Sequence, residues 1–292
     1  MEFLQPESWR EALEIKAERP EAVPIRGGTD MMVDLNFARR RPDVMLDLSR
    51  VSEIEVWSEE AGMLRVGAGV TYTRLIDELS EELPGIAMAS RTVGSPQIRN
   101  RGTVGGNLAT SSPAGDALPP LYASGAEVEV ASVKSTRRIP VAEFISGPKK
   151  NALAVDELIS SFYIPRATGP QQYAKIGTRN AMVIAVSSLA VALHPSDDKV
   201  GVCIGSAGPT PIQATEAEEF LQGMIEEGGL WESRTALDEA ALQRFGELVV
   251  GAAQPIDDVR GTAEYRRHSV GVLARRTLTW AWDEYREAPD AA

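Results

Sequence analysis

Apolar positions near the N-terminus recur with a helical period. Ser8 and Glu11 stand at capping-box spacing ahead of Ala12, Leu13 and Ile15, which predicts a helix to about Glu18, ended by Pro20. Ala22–Arg26 reads as a short buried strand running into Gly27-Gly28. Thr29 or Asp30 then caps a helix with Met31, Met32, Leu35 and Phe37 on its apolar face. Short apolar runs predict strands at Val44–Leu48, Ile54–Trp57 and Met63–Val66, a helix over about Thr73–Leu79 and another after Pro84. From Gly94 to Gly115, repeated glycines with Pro96 and Pro113 argue against long regular structure. A short helix at Ala117–Ala123, a hairpin of Glu127–Ser132 with Arg137–Ile139, and an apolar segment Leu158–Ile164 ending at Pro165 follow.

Arg166–Pro170 is polar and turn-rich, so the expected division is one domain over 1–170 and a second over 171–292, joined too tightly to stay apart. The second part carries candidate strands at Tyr173–Lys175, Met182–Leu193 and Val200–Ser206. Helices follow near Glu216–Gln222, Glu239–Gly251 and Ala263–Trp280, an α+β pattern.

Composition narrows the function. A chain of 292 residues, 43% hydrophobic, is large enough for two domains and is neither a disordered tail nor a disulfide scaffold. Its net charge of −12 repels nucleic-acid phosphates and anionic lipid, so neither nucleic acid nor a membrane is an expected partner. Cys203 is the only cysteine; it cannot form an internal disulfide or by itself hold a zinc ion or an iron–sulfur cluster. Met1–Arg10 has no signal-peptide character, and Ala181–Leu193 is too short to span a bilayer. The expectation is a soluble cytoplasmic protein.

Several chemical templates fail. His194 and His268 form no metal-binding pair. Gly201-Val-Cys203-Ile-Gly205 has the spacing of a nucleophile elbow, but Cys203 lies in the alternating strand of Val200, Val202 and Ile204 with no helix to follow, so it reads as buried and inert. Gly67-Ala-Gly69 invites a dinucleotide-fold reading, yet Tyr72 occupies the third glycine position.

Two glycine clusters carry more. Arg26-Gly-Gly-Thr-Asp30 follows a strand and opens a helix, so its amides can converge on an anion. Asn100-Arg-Gly-Thr-Val-Gly-Gly-Asn107 lies among Arg91, Arg99 and Arg101 in an otherwise acidic chain, which suits a pyrophosphate. Thr103, Asn107 and Asp116 add hydrogen-bonding groups. A solvated glycine-rich loop is the plain alternative for the second cluster. Two such clusters together favour a large, phosphate-bearing cofactor.

Arg26–Asp30, Gln97–Asn107, Ser112-Pro-Ala-Gly-Asp116 and Tyr173-Ala-Lys175, in this order, resemble the FAD-binding medium subunit of molybdenum hydroxylases, the xanthine dehydrogenase and carbon monoxide dehydrogenase flavoprotein family. The similarity runs from Phe3 to about Leu278. It implies an α+β fold: a two-lobed FAD-binding domain of the vanillyl-alcohol oxidase (PCMH) type and a smaller C-terminal α+β domain. The family pattern puts Pro24, Ile25, Arg26, Gly27, Gly28, Thr29, Asp30 and Met31 at the FAD pyrophosphate. It places Thr103, Val104, Gly105, Gly106 and Asn107 against the cofactor, and Val93, Asp116, Ile159 and Lys175 around it. Amide donors or a lysine near the flavin ring favour its reduced form.

The resemblance further implies an oxidoreductase subunit without catalytic residues of its own, passing electrons through FAD to an external acceptor. Molybdopterin and the two-iron two-sulfur clusters then reside in partners: an iron–sulfur small subunit and a molybdenum-binding large subunit, assembled as a dimer of heterotrimers. Because both histidines lie outside the glycine motifs, FAD is expected to be non-covalent. With only Cys203, the cluster-bearing benzoyl-CoA reductase branch is disfavoured. Ser95–Asn100, Phe144–Lys149, Arg179–Met182 and Gly208–Pro211 are most similar to the bacterial xanthine dehydrogenase type, with carbon monoxide, aldehyde and N-heterocycle dehydrogenases as alternatives. A stand-alone flavin oxidoreductase, a Cys203 hydrolase, and an interaction module built on Tyr265–Tyr285 with Arg266, Arg267, Arg275 and Arg276 are the other classes. Arg99 and Arg101 are expected near the flavin and the iron–sulfur partner.

Overall fold

Ser8 caps the first helix, Trp9–Glu18: its hydroxyl accepts the Glu11 amide, while the Glu11 carboxylate accepts the amide of Glu7 rather than that of Ser8. The structure is a computed structural model that describes residues 1–288. The described residues divide into two compact units that are discontinuous in sequence. The first unit comprises Met1–Glu78, Gly94–Ser112 and Gly125–Arg166; the second takes Leu79–Val93, Pro113–Ser124 and the chain from Ala167 onward.

The first unit contains two principal sheets. A parallel sheet is ordered β1 (Glu2–Leu4), β3 (Val44–Asp47), β2 (Val23–Ile25), with β3 buried throughout. Ala12, Ala22, Val44, Leu46, Val51 and Ile54 form its core. An antiparallel sheet runs β4 (Trp57–Glu60), β5 (Met63–Gly67), β10 (Leu158–Pro165), β6 (Glu127–Ala131), β7 (Thr136–Pro140). A small hairpin joins β8 (Ile145–Gly147) to β9 (Lys150–Asn151). All five strands of the larger sheet pair antiparallel, so the Gly67–Gly69 turn does not belong to a dinucleotide-binding parallel fold.

The second unit has one antiparallel sheet, β11 (Gln171–Ile176), β12 (Ser187–His194), β13 (Lys199–Gly205) and β14 (Ile212–Gln213). Leu189, Val191, Leu193, Val202 and Ile204 from alternate positions of β12 and β13 pack on the helices Thr215–Gly228, Glu239–Ala252 and Ala263–Glu287. The shorter helices Pro84–Arg91 and Leu118–Ala123 also belong to this unit.

Some elements depart from the sequence expectation. Ile54–Trp57 is not a strand: Ser52–Ile54 is a single 3-10 turn and β4 starts at Trp57. The Ile54 and Val56 carbonyls accept the amides of Gly69 and Gly67, which folds this apolar segment across the turn after β5. The strand expected from Met182 begins only at Ser187, because the preceding residues form a loop held by side chains of the same unit. Helix Met31–Asn36 forms with Asp30 at its N-cap, but it buries none of its residues and Phe37 is 69% exposed. Among the described residues no helix is long and apolar enough to cross a membrane.

Candidate functional site

The two glycine motifs meet inside the first unit. A Cβ on Gly27 would collide with the Arg101 carbonyl oxygen and stand 2.7 Å from its carbon, so the first motif lies directly on the backbone that leads into the second. Gly28 has φ +75°, the left-handed conformation that turns the chain from β2 into the helix. At the other end Thr110 Oγ1 donates to Asp30 Oδ2 at 2.8 Å, so Asp30 ties the motifs together instead of capping its own helix.

Thr103 caps the helix Val104–Thr110 and its Oγ1 accepts the Gly106 amide at 2.9 Å. Gly105 seats that helix against the turn after β5: an added Cβ would lie 2.5 Å from the Ala68 carbonyl oxygen. Ala68 in turn donates its amide to Ser160 O at 2.9 Å, where β10 is bulged between Ile159 and Ser161. Ile159 is buried beside that bulge.

This packing leaves donors unspent. Among the described residues, no protein acceptor takes the amides of Gly27, Gly28, Thr29, Asp30, Met31 or Gly105. Asn107 Oδ1 is buried without a partner. Partly buried amides without partners cost free energy unless a ligand or water completes them. A row of such amides beside glycines, with a buried side-chain oxygen lacking a partner, fits the phosphates and polar groups of a dinucleotide. Arg26 is not a free cation here: its guanidinium pairs with Glu55, leaving Nε buried without a partner. Arg101 is exposed and its charge helps, behind the hydrogen bonds from Gln5 and Ser49, to lower the Asp47 carboxyl against the opposing effect of burial. Arg99 is half-buried and donates to Gly94 O at 3.3 Å.

Val93, Asp116 and Lys175 fall in the second unit. Lys175 Nζ donates to Asp116 Oδ2 at 2.6 Å, to Thr92 O at 2.9 Å and to Val183 O at 3.2 Å, so all three of its protons are used. Asp116 Oδ1 accepts the Tyr173 hydroxyl at 3.0 Å. Burial pushes the Asp116 carboxyl up, opposed by the charge and hydrogen bond of Lys175 and by Tyr173 and Thr92. Burial and then Asp116 hold the Tyr173 phenol well above its usual value, which keeps it an O–H donor. Val93 ends the turn after Pro84–Arg91, its amide on Ser90 O.

Cys203 is fully buried in β13, and burial followed by Glu218 pushes its thiol up. His194 Nε2 faces Ala123 O at 3.3 Å. The hydrolase reading therefore lacks both an accessible thiolate and a base beside it. Among the described residues no cluster of three or more His, Cys, Asp or Glu side chains could hold a metal ion.

Residues 1–167 match the model for the FAD binding domain in molybdopterin dehydrogenase, and residues 172–281 that for the CO dehydrogenase flavoprotein C-terminal domain. The chain belongs to the FAD-binding subunits of the molybdopterin dehydrogenases. It is 32% identical over 237 residues to the nicotinate dehydrogenase FAD-subunit of Eubacterium barkeri, across 76% of this chain and 79% of that one. It is 28% identical over 286 residues to the xanthine dehydrogenase FAD-binding subunit of Escherichia coli O157:H7, across 93% and 92%. A reconstituted CO dehydrogenase from Oligotropha carboxidovorans superposes with a TM-score of 0.88 at 27% identity, covering 97% of this chain and 98% of the other. The α+β architecture expected from the motifs is the one these flavoprotein subunits share.

Within this FAD-binding subunit, sequence spacing singled out the glycines and missed what they pack against. Thr110 and Glu55 shape the motifs through contacts 80 and 29 residues distant in sequence that no local pattern marks, and Ala68, in the Gly67-Ala-Gly69 turn, does so through its backbone and Cβ rather than as part of a dinucleotide fingerprint.

Proposed function

We propose that the subunit binds FAD non-covalently, with the pyrophosphate on the amides of Gly27–Met31 and Gly105, and with Thr103 and Asn107 completing the polar contacts. The observation that carries this reading is the row of acceptor-free amides where the two glycine motifs meet. Bound there, FAD would supply the redox chemistry between two-iron two-sulfur clusters of a partner and NAD or another external acceptor. This chain's part is to hold and orient: Gly27 and Gly105 permit the close approach, and Asp30 with Thr110 clamps it. For Asp116 and Lys175, with Val93 and Ile159, the resemblance supports a role at the same cofactor; the pair brings a fixed, internally neutral charge.

The partners are an iron–sulfur small subunit and a molybdenum-binding large subunit, as a dimer of heterotrimers in the cytoplasm, with residues 1–170 as the FAD module and 171–292 as the C-terminal module. Relatives named for xanthine, nicotinate, nicotine and caffeine favour an N-heterocycle as the large subunit's substrate, xanthine first. Relatives named for glyceraldehyde and carbon monoxide mark the other outcomes.

The test is the visible spectrum of the purified protein before and after acid precipitation. Oxidised-flavin bands with FAD recovered in the supernatant are expected; flavin retained by the precipitate refutes non-covalent attachment. A protein that stays colourless with added FAD, alone and with its partner subunits, refutes the cofactor reading. Bleaching of the flavin in the assembled complex by xanthine, but not by an aldehyde or carbon monoxide, is the expected substrate result.

A further inference from the structure

Arg266 lies on the long helix Ala263–Glu287 of the second unit, far in sequence from every residue so far connected with the cofactor. It is 4% exposed. Its Nη1 donates to Val186 O and to Ser206 O, both at 2.6 Å, and its Nη2 to Asp258 Oδ1 at 2.7 Å. A buried guanidinium is costly unless paired and hydrogen-bonded, and Nε still lacks a partner. Anchoring a surface helix needs no such group; the apolar residues of that helix already bury it against the sheet.

The two carbonyls that Arg266 holds are the informative feature. Val186 donates its amide to Ile176 O at 2.7 Å, one residue beyond Lys175 on β11. The same loop supplies Val183 O to the Lys175 ammonium. Ser206 donates its amide to Pro113 O at 3.0 Å, at the head of the loop that carries Asp116. One guanidinium thus ties the segment bearing the base to the segment bearing the acid, by a carbonyl at each. Ser206 sits at φ +60°, a left-handed conformation unfavourable for a non-glycine residue, and its hydroxyl is buried without a partner. Its backbone is held there by Arg266 on one side and Pro113 on the other.

We propose that Arg266 is a positioning residue: it sets the spacing of the Lys175–Asp116 pair by clamping the Val186 and Ser206 carbonyls, and through that pair it tunes the flavin. The second half rests on the proposed role of the pair at FAD. The first half stands on the hydrogen bonds alone.

The experiment separates the two. The full chain has six lysines, of which Lys16 and Lys175 hold their ammonium groups in buried or part-buried hydrogen bonds. With 15N-lysine labelling, slow ammonium proton exchange reports Lys175, and Lys16 in the other unit is the internal control. Expected exchange at Lys175 rises from wild type through Arg266→Lys to Arg266→Met, by at least tenfold in the last, with Lys16 unchanged. Lysine can reach one carbonyl but not span both and Asp258. Unchanged Lys175 exchange in a folded Arg266→Met variant overturns the proposal; if that variant does not fold, exchange in Arg266→Lys equal to wild type overturns it. The flavin midpoint potential of the FAD-loaded variants is then measured. A shift in the same order supports the whole inference. A faster Lys175 exchange with an unmoved potential upholds the clamp and overturns the reading of the pair as a flavin-tuning group.

Discussion

Replacing Gly105 with alanine strikes the contact that seats the second glycine motif. The new Cβ would lie 2.5 Å from Ala68 O, 2.6 Å from Ala68 Cβ and 2.7 Å from Ala68 Cα, where real Cβ contacts are not found below 3.0 Å. Two of these atoms are backbone and the third is a Cβ fixed to it, on a residue whose amide is held by the Ser160 carbonyl, so none can swing aside and the helix Val104–Thr110 must lift by roughly half an ångström or more. Overpacking of this kind costs about 1–3 kcal/mol, and the helix propensity of alanine returns up to about 1. The net expectation is a loss of about 1–2 kcal/mol, a fall in Tm of about 2–8 °C. The lift also moves the Gly105 amide and Asn107 away from the position proposed for the cofactor. Losing one charge-assisted hydrogen bond, worth about 1.5–3 kcal/mol, weakens FAD roughly tenfold to a hundredfold. Gly106→Ala is the matched comparison, since its Cβ meets only Thr103 Oγ1, at 3.3 Å. It should leave Tm unchanged or raise it by up to about 4 °C, through alanine's helix propensity, while still weakening FAD, because the open space beside it is the space assigned to the cofactor. FAD titration by flavin fluorescence and thermal unfolding without FAD give both numbers. Gly105→Ala with wild-type Tm and FAD affinity would refute the packing argument, and Gly106→Ala with unchanged affinity would refute the location of the cofactor.

Further outcomes concern stability and pH. Glu157 is buried and accepts two hydrogen bonds from Arg137 and one from the Ala154 amide, all at 2.8 Å, so Glu157→Gln should cost about 1–2 kcal/mol, limited by the half-exposed Arg137. The Arg137 hydrogen bond holds this carboxyl below its ordinary 4.5 despite partial burial; the deficit should be full above pH 4.5 and shrink as pH falls through the lowered value, read from urea melts. His194 is the opposite case: burial lowers it from 6.5, against the Ala123 carbonyl and Asp197, with Lys199 adding to the lowering. Between pH 6.5 and that lowered value the unfolded chain binds a proton that the folded chain largely lacks, so stability falls as pH falls through that window. His194→Gln should flatten that part of the profile; a slope identical to wild type between pH 7 and 5 would sink this assignment.

How far the sequence carried can be judged residue by residue. The Ser8 cap, the alternation through β13 and the long C-terminal helix follow from local pattern, because hydroxyl capping and two- or 3.6-residue periods need only neighbours in the chain. The glycine motifs stood out as a proposed anion site for the same reason: absence of a Cβ is a property of the residue itself. Ile54 and Met182 misled the strand reading because apolar runs record burial, and burial by a crossing turn or a clamped loop looks the same as burial in a sheet.

What folding alone decided lies in contacts between distant segments. Nothing near Gly27 announces the Arg101 backbone, nothing near Asp30 announces Thr110, and Lys175 reads as an available cation until Asp116, Thr92 and Val183 take its three protons. Arg266 reads as one more exposed arginine on an amphipathic helix, yet it is buried on carbonyls 60 and 80 residues away. Local sequence specifies which groups a segment can offer. Which of those groups are spent on the protein itself, and which remain for a cofactor, depends on the partners that tertiary packing brings within hydrogen-bond reach.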